Sequence, residues 1–162
     1  MARTIIALGS NLDNPHAQLK KAAEFLSTLS EAPIKKSSIY LSEPIGPSEY
    51  DFLNAAISIE SSLSAVELFE ECKKQELAQG RPSRYPKWTA RPLDLDIIAY
   101  RDEIIDLPNL QIPHPEYSSR LFVLLPLQEV EPNWVDPKHH TPIETLLKKA
   151  PKMAIRKTTL NW

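Results

Sequence analysis

Three features of the sequence predict an α+β fold, a β-α-β-β-α-β antiparallel sheet with helices packed on one face and a C-terminal extension. Two segments, Asn14 to Ser30 and Ser64 to Gly80, carry apolar residues at helical spacing. The segments around them alternate or run apolar as strands do. Capping or turn chemistry separates most of them. Strand, helix, strand, strand, helix, strand in that order is the ferredoxin-like arrangement.

The first strand is Thr4 to Leu8, ending at Gly9-Ser10-Asn11. Asn14-Pro15 supplies an N-cap and a proline at the first helical position. Leu19, Ala22, Ala23, Leu26 and Leu29 then form the buried stripe of a helix that Ala32-Pro33 ends. Ile34 to Ser42 reads as one strand and Glu43 to Pro47 as a loop. In the strand Phe52 to Ser61, Leu53, Ala55, Ile57 and Ile59 share one face, leaving Phe52, Asn54, Ala56 and Ser58 on the other. Ser64-Ala65-Val66-Glu67 is a capping box, and Ala65, Leu68, Phe69 and Cys72 are the stripe of the helix it opens. Glu76 lies one turn beyond Cys72 on that stripe, where an apolar residue is ordinary. Gly80 ends the helix. The proline-stiffened loop from Gly80 to Pro92 has the length of a lid or binding segment. A strand carrying Asp94 and Asp96 follows, with a turn at Arg101-Asp102 and a return strand at Ile104-Ile105. In the extension, Pro113-His114-Pro115 is a rigid bend, Ser119 to Leu125 a short helix ended by Pro126, and Thr141-Pro142-Ile143-Glu144 the cap of a last helix.

A chain of 162 residues suits a single domain, residues 1–162, with a proper core. The net charge of −2 argues against a nucleic-acid partner, which would need a broad basic surface. One cysteine, Cys72, excludes an internal disulfide and a thiolate metal cage. The apolar run Thr4 to Leu8 is too short for a signal or membrane segment, so the expectation is a cytoplasmic protein with no membrane partner; a monomer is expected as well.

The chemistry concentrates around one strand. Asp94 and Asp96 share a strand face, with Leu95 and Ile97 on the opposite one. Two carboxylates so placed repel when ionised, and Mg²⁺ removes that cost through hard oxygen ligands. From Leu77 to Leu93 there is no acidic residue, whereas Arg81, Arg84, Lys87 and Arg91 all fall there with Tyr85 and Trp88. Cations and aromatics leading into paired carboxylates suit a phosphate-rich substrate bound with metal. A solvated strand face paired with Arg91 is the alternative. Asn54 beside Phe52 can read the edge of a flat heterocycle stacked on the ring, or simply face solvent. Trp88 reads as a loop anchor or an aromatic lid. His114, held between two prolines, and Arg120 six residues on lie within reach of one pocket, or merely pack. His16, His139 and His140 read as surface residues.

Five motifs then occur in order: Tyr40-Leu41-Ser42-Glu43-Pro44-Ile45-Gly46, Phe52-Leu53-Asn54-Ala55, Gly80-Arg81, Arg91-Pro92-Leu93-Asp94-Leu95-Asp96-Ile97, and Pro113-His114-Pro115 with Arg120-Leu121-Phe122-Val123-Leu124. The set resembles the 6-hydroxymethyl-7,8-dihydropterin pyrophosphokinase family (2-amino-4-hydroxy-6-hydroxymethyldihydropteridine diphosphokinase) of folate biosynthesis, over about Thr4 to Val130. That family's fold is the one read above. The resemblance implies transfer of pyrophosphate from ATP to the pterin, with AMP released. It makes Asp94 and Asp96 ligands of two Mg²⁺ ions. It places Ser42, Ile45, Phe52, Asn54, Trp88 and Phe122 around the pterin. Glu76, Arg91, His114 and Arg120 fall at ATP-contacting positions, and Arg81 and Arg84 in a loop that assists transfer. The family's usual Leu-Gly-Asp after Gly9-Ser10-Asn11 is here Leu12-Asp13-Asn14. Thr89 and Ser83 also depart from common family residues.

Two rivals follow from the same residues. A nucleotidyltransferase using the Asp94/Asp96 pair would release pyrophosphate instead of AMP. A ferredoxin-like RNA-binding module would expose aromatic and basic residues on its sheet, where this one carries two aspartates.

Overall fold

The computed structural model describes residues 3–43, 51–80 and 92–162. Its sheet is made by β1 (Thr4–Ser10), β3 (Tyr40–Ser42), β4 (Phe52–Ile59), β5 (Asp94–Tyr100) and β8 (Ile155–Lys157), in the order β5-β1-β4-β3-β8. The two-residue β2 (Lys35–Lys36) pairs with β4 as well, and every pair is antiparallel. This is the ferredoxin-like topology expected from the sequence, with one strand added at an edge.

Capping chemistry acts as read. At α1 (Pro15–Leu29) the Asn14 side chain accepts from the Ala17 amide, with Pro15 at the first position. At α2 (Ala65–Ala78) the Ser64 hydroxyl accepts from Glu67 N at 3.2 Å, while the Glu67 carboxylate accepts from Ser64 N at 3.0 Å. Gly80 follows in the left-handed region, φ 106°, where a side chain would be strained. Both helices bury their stripes on one sheet face, against Ile6, Leu8, Leu53, Ile57, Leu95 and Ile97.

Several expectations are corrected. The segment 34–42 is two strands, because Ser37 interrupts it. Ser37 N and Oγ both bond Ala56, and Lys36 to Tyr40 spans four steps against three from Ile57 to Asn54. That extra residue is a β-bulge. The strand after the Arg101-Asp102 turn, β6 (Ile105–Leu107), forms a hairpin with β7 (Leu110–Ile112) and does not return onto β5. Helices cover both faces of the sheet, not one. After a single 3-10 turn (Tyr117–Ser119), α3 (Leu121–Val130) packs on the second face with Ile5, Ala56 and Ile98, backed by α4 (Ile143–Lys149). Pro126 does not end α3; it sits inside the helix. An interior proline costs about 3 kcal/mol. Burying Leu127 and Val130 beyond it offsets that, at about 1.5–3 kcal/mol per large side chain. Pro142, without a side-chain cap bond, precedes α4, and Thr141 Oγ1 instead donates to the His139 carbonyl.

Candidate active site

Alternation along the strands builds the site. Asp94, Gly9, Asn54 and Tyr40 are direct cross-strand neighbours on the second face, and Asp96 and Ala7 form the next row with Ala56. Ser42 lies opposite Phe52. Small residues on β1, Ala7 and Gly9, leave a hollow in front of the first turn of α3. The result is a cleft with about 580 Å³ of open space, walled by Ser42, Phe52, Asn54, Asp94, Asp96 and Phe122. Arg120, at the N-terminus of α3, closes one side. Its guanidinium lies 5.7 Å from the Phe122 ring centre and is paired with Glu116.

Asn54 is buried and oriented. Its Nδ2 donates to Ser42 Oγ at 2.7 Å and to the carbonyls of Tyr40 and Phe52. With both amide hydrogens turned to the protein, Oδ1 lies on the Gly9 side of the floor. Solvent is therefore not what Asn54 faces.

A second cleft, with about 840 Å³ of open space, lies along the outer edge of β5. Phe69 and Lys73 from α2 wall it, with Leu95, Asp96, Ile97, the β6–β7 turn and His114. The His114 amide donates to the Ile98 carbonyl, and its Nδ1 accepts from Glu116 N, so the bend between the two prolines holds the ring. Glu76 is buried on the α2 side. Its Oε2 accepts from Leu95 N at 2.7 Å and its Oε1 from Lys73 Nζ at 3.1 Å. The carboxylate thus ties α2 to the backbone between the two aspartates, a bond the sequence did not reveal.

Asp96 lines both clefts. Burial, followed by the Asp94 charge, pushes it up to about 7; Lys73 and Arg120 oppose that rise and Glu76 adds to it. A half-buried carboxylate beside another one is a site short of positive charge. The donor set is hard oxygen, and Mg²⁺ binds through one or two carboxylates together with substrate phosphates. The pair fits such an ion.

Of the residues singled out from the sequence, Ser42, Phe52, Asn54, Asp94, Asp96, Arg120 and Phe122 meet at the first cleft, and His114 with Asp96 at the second. Glu76 approaches from behind β5. Ile45, Arg81, Arg84, Trp88 and Arg91 lie outside the described residues, as does the expected lid. Missed were Ala7, Gly9, Glu43 and Val123 in the first cleft and Lys73 in the second, and Phe69 was read as core alone. Gly9 carried the one available signal, as one of only three glycines.

A ferredoxin-like sheet thus carries paired carboxylates on one strand, and one of them, Asp96, lines two clefts, the make-up of an enzyme site. The sequence profile described as 7,8-dihydro-6-hydroxymethylpterin-pyrophosphokinase (HPPK) matches residues 5–132. The 2-amino-4-hydroxy-6-hydroxymethyldihydropteridine pyrophosphokinase of Haemophilus influenzae is 42% identical over 139 residues, covering 85% of this chain and 86% of its own. The enzyme of the same name from Aquifex aeolicus is 37% identical and covers 89% of each chain. In three dimensions the chain resembles wild-type Plasmodium falciparum HPPK-DHPS solved with SDX-DHP, at TM-score 0.69 and 14% identity. That likeness shows the fold; it covers 91% of this chain and 44% of the longer one. This chain belongs to the 7,8-dihydro-6-hydroxymethylpterin-pyrophosphokinase family. Among the described residues no helix is long and apolar enough to cross a membrane.

Proposed function

We infer that this chain, an ATP-dependent pyrophosphokinase of folate biosynthesis, works across Asp96, with the pterin in the first cleft and ATP in the second. The reaction transfers pyrophosphate from ATP to 6-hydroxymethyl-7,8-dihydropterin, giving AMP and the pterin diphosphate. The hydroxymethyl oxygen attacks the β-phosphorus in line. The bond from that phosphorus to the oxygen of the α-phosphate breaks, AMP leaves with that oxygen, and the hydroxyl proton is released. The observation that carries this reading is the position of Asp96 on both clefts.

Asp94 and Asp96 would hold two Mg²⁺ ions, whose charge, when bound, neutralises the phosphate oxygens as the transfer proceeds. Phe52 and Phe122 offer rings against which the heterocycle stacks, and Asn54 Oδ1 accepts from its N–H edge. His114 takes the ATP side, with Lys73 adding a cation at the second cleft; Arg120, which lines the first cleft with Asp94 and Asp96, is assigned to the ATP phosphates by resemblance. Glu76 holds the strand that carries both aspartates. Ile45 and Trp88 at the pterin, and Arg81, Arg84 and Arg91 at the phosphates, are assigned by resemblance. No protein nucleophile is required, because positioning and charge neutralisation supply most of the rate in such transfers. Residues 1–162 act as one pyrophosphokinase domain, a cytoplasmic monomer without nucleic-acid or membrane partners.

Incubation with ATP, Mg²⁺ and 6-hydroxymethyl-7,8-dihydropterin tests the reading. AMP should appear in step with pterin diphosphate. Release of ADP, or of free pyrophosphate, would overturn it in favour of simple phosphoryl or nucleotidyl transfer.

A further inference from the structure

The segment from Pro151 to Trp162 lies beyond the residues that the family profile matches, yet it is bonded to the strand that carries Ser42. Strand β8 pairs with β3 so that Ile155 stands opposite Ser42, Arg156 opposite Leu41 and Lys157 opposite Tyr40. The pairing continues past both ends. Glu43 N donates to the Ala154 carbonyl at 3.1 Å, and Ala154 N donates to Glu43 Oε1 at 3.2 Å. Thr158 donates twice to the Ile39 carbonyl, through N at 2.9 Å and Oγ1 at 2.8 Å. Trp162 then fixes the far end: its Nε1 donates to the Ser37 carbonyl at 2.8 Å, and Lys36 Nζ bonds its carbonyl and lies 5.6 Å from its ring centre. His16 Nε2 donates to the Asn161 carbonyl at 2.6 Å, joining the segment to α1.

β3 has only three residues, and a strand so short holds its position weakly without a second neighbour. Its inner side is fixed by β4. Its outer side is fixed by this segment alone among the described residues. Ser42 accepts the 2.7 Å bond from Asn54 Nδ2, and that bond turns Asn54 Oδ1 toward the cleft floor. We propose that Pro151–Trp162 is a positioning strap for the first cleft: it holds β3 in place, and through Ser42 sets the Asn54 amide that reads the heterocycle. The strap touches no substrate. It acts on the heterocycle half of the site and leaves the second cleft, on the opposite edge of the sheet, alone.

The inference rests on the assignment of the first cleft to the pterin, and steady-state kinetics with each substrate varied in turn separate the two. Trp162→Ala and Arg156→Pro, the latter removing a backbone donor at the centre of β8, should raise KM for the pterin about five- to tenfold, the scale of one hydrogen bond. KM for ATP and kcat should stay near the wild-type values. Trp162→Phe, which keeps the ring and loses the N–H, should fall between. Leu63→Ala, at a half-buried residue just before the N-cap of α2 that lines neither cleft, is the control: it should lower the melting temperature without moving either KM. Should Arg156→Pro fail to fold, Trp162→Ala decides. Unchanged pterin KM in that variant, or equal changes for both substrates, would overturn the strap and leave a purely stabilising segment. A wild-type enzyme that makes no AMP would instead overturn the function.

Discussion

The two faces of the sheet are made by the same strands and do opposite work. On the face beneath α1 and α2, β1, β4 and β5 present Ile6, Leu8, Leu53, Ile57, Leu95 and Ile97, all buried. On the other face the intervening positions hold Ala7, Gly9, Asn54, Ala56, Asp94 and Asp96. Successive strand residues point to opposite sides, so one chain can load stability onto one set and chemistry onto the other. The difference teaches where tolerance should lie. Substitutions on the first face should act on folding, and substitutions on the second on turnover.

The largest expected effect breaks the comparison most directly. Asp94→Asn or Asp96→Asn should lower kcat by about 10²–10³-fold, the range seen when one charge-stabilising group is lost from an active site. Ile57→Ala should cost about 2–5 kcal/mol of stability through the cavity it leaves. Its folded fraction should turn over normally. Chemical denaturation beside activity per folded molecule distinguishes the two; an aspartate variant active at limiting Mg²⁺ would remove the metal assignment.

Asn54→Ala comes next. It should weaken pterin binding by about 1–3 kcal/mol, because a polar edge of the ligand is left unpaired. Titration with a non-hydrolysable ATP analogue alone should barely change. Equal loss of both ligands would make Asn54 a structural residue of the β3–β4 pair.

Much of this was legible from the residues, for a physical reason. Alternation in Phe52–Ile59 and at Asp94–Ile97 separates the faces in sequence as it does in space, so the core and the polar site residues could be read together. Glycine and alanine carry no chemistry, and the floor at Ala7 and Gly9 shows only once strands are paired. The bulge at Ser37 depends on a side chain replacing a ladder partner across β4, which no local pattern reports. Strand β8 has three residues and takes its register from β3. Pro126 was read by its local cost, and the burial that outweighs it belongs to the tertiary structure.

Gly9→Ala should sharpen the comparison at its narrowest point. A Cβ there would lie 3.8 Å from both Asn54 Oδ1 and Phe52 Cδ1, an ordinary contact, so the fold should accept it. The methyl group would stand on the cleft floor. We expect an unchanged or slightly raised melting temperature with a pterin KM several-fold higher; a normal KM would mean the ligand does not reach the floor.

The charge on Asp96 should be visible in the protein without metal. Its folded-state value, raised to about 7, lies above the ordinary carboxylate value of 3.8, so the folded state holds the proton more tightly than the unfolded state. Stability from this group is fully present below about pH 3.8 and is lost as pH rises toward 7. Asp96→Asn should therefore melt a few degrees higher than wild type at pH 7 to 8, with the gap closing near pH 4. Mg²⁺ with an ATP analogue should narrow the gap from the other side by stabilising the wild type. A gap independent of pH would show that the carboxylate is not destabilised by its surroundings.

The smallest effect is expected where β1 leaves the site and the chain crosses to the packed face. Asp13 and Asn14 both have left-handed backbone, φ 56° and 62°, and Asp13 stands where the resemblance places glycine. For Asn14 the conformation is compensated, since its side chain caps α1 by accepting from Ala17 N. Asp13 is exposed, and the bond it makes to Gln18 Nε2 uses its backbone carbonyl, which any residue provides. Asp13→Gly would relieve the left-handed strain, worth about 1 kcal/mol for a short polar residue. Part of that gain is lost because glycine makes the unfolded chain more flexible. The net expectation is a gain of about 0.5 kcal/mol in urea denaturation with unchanged KM for both substrates. A loss of stability would show that the Asp13 carboxylate contributes more at the start of α1 than its backbone costs. A shift in pterin KM would show that this turn, one step beyond Ser10 and Asn11, belongs to the site as well as to the fold.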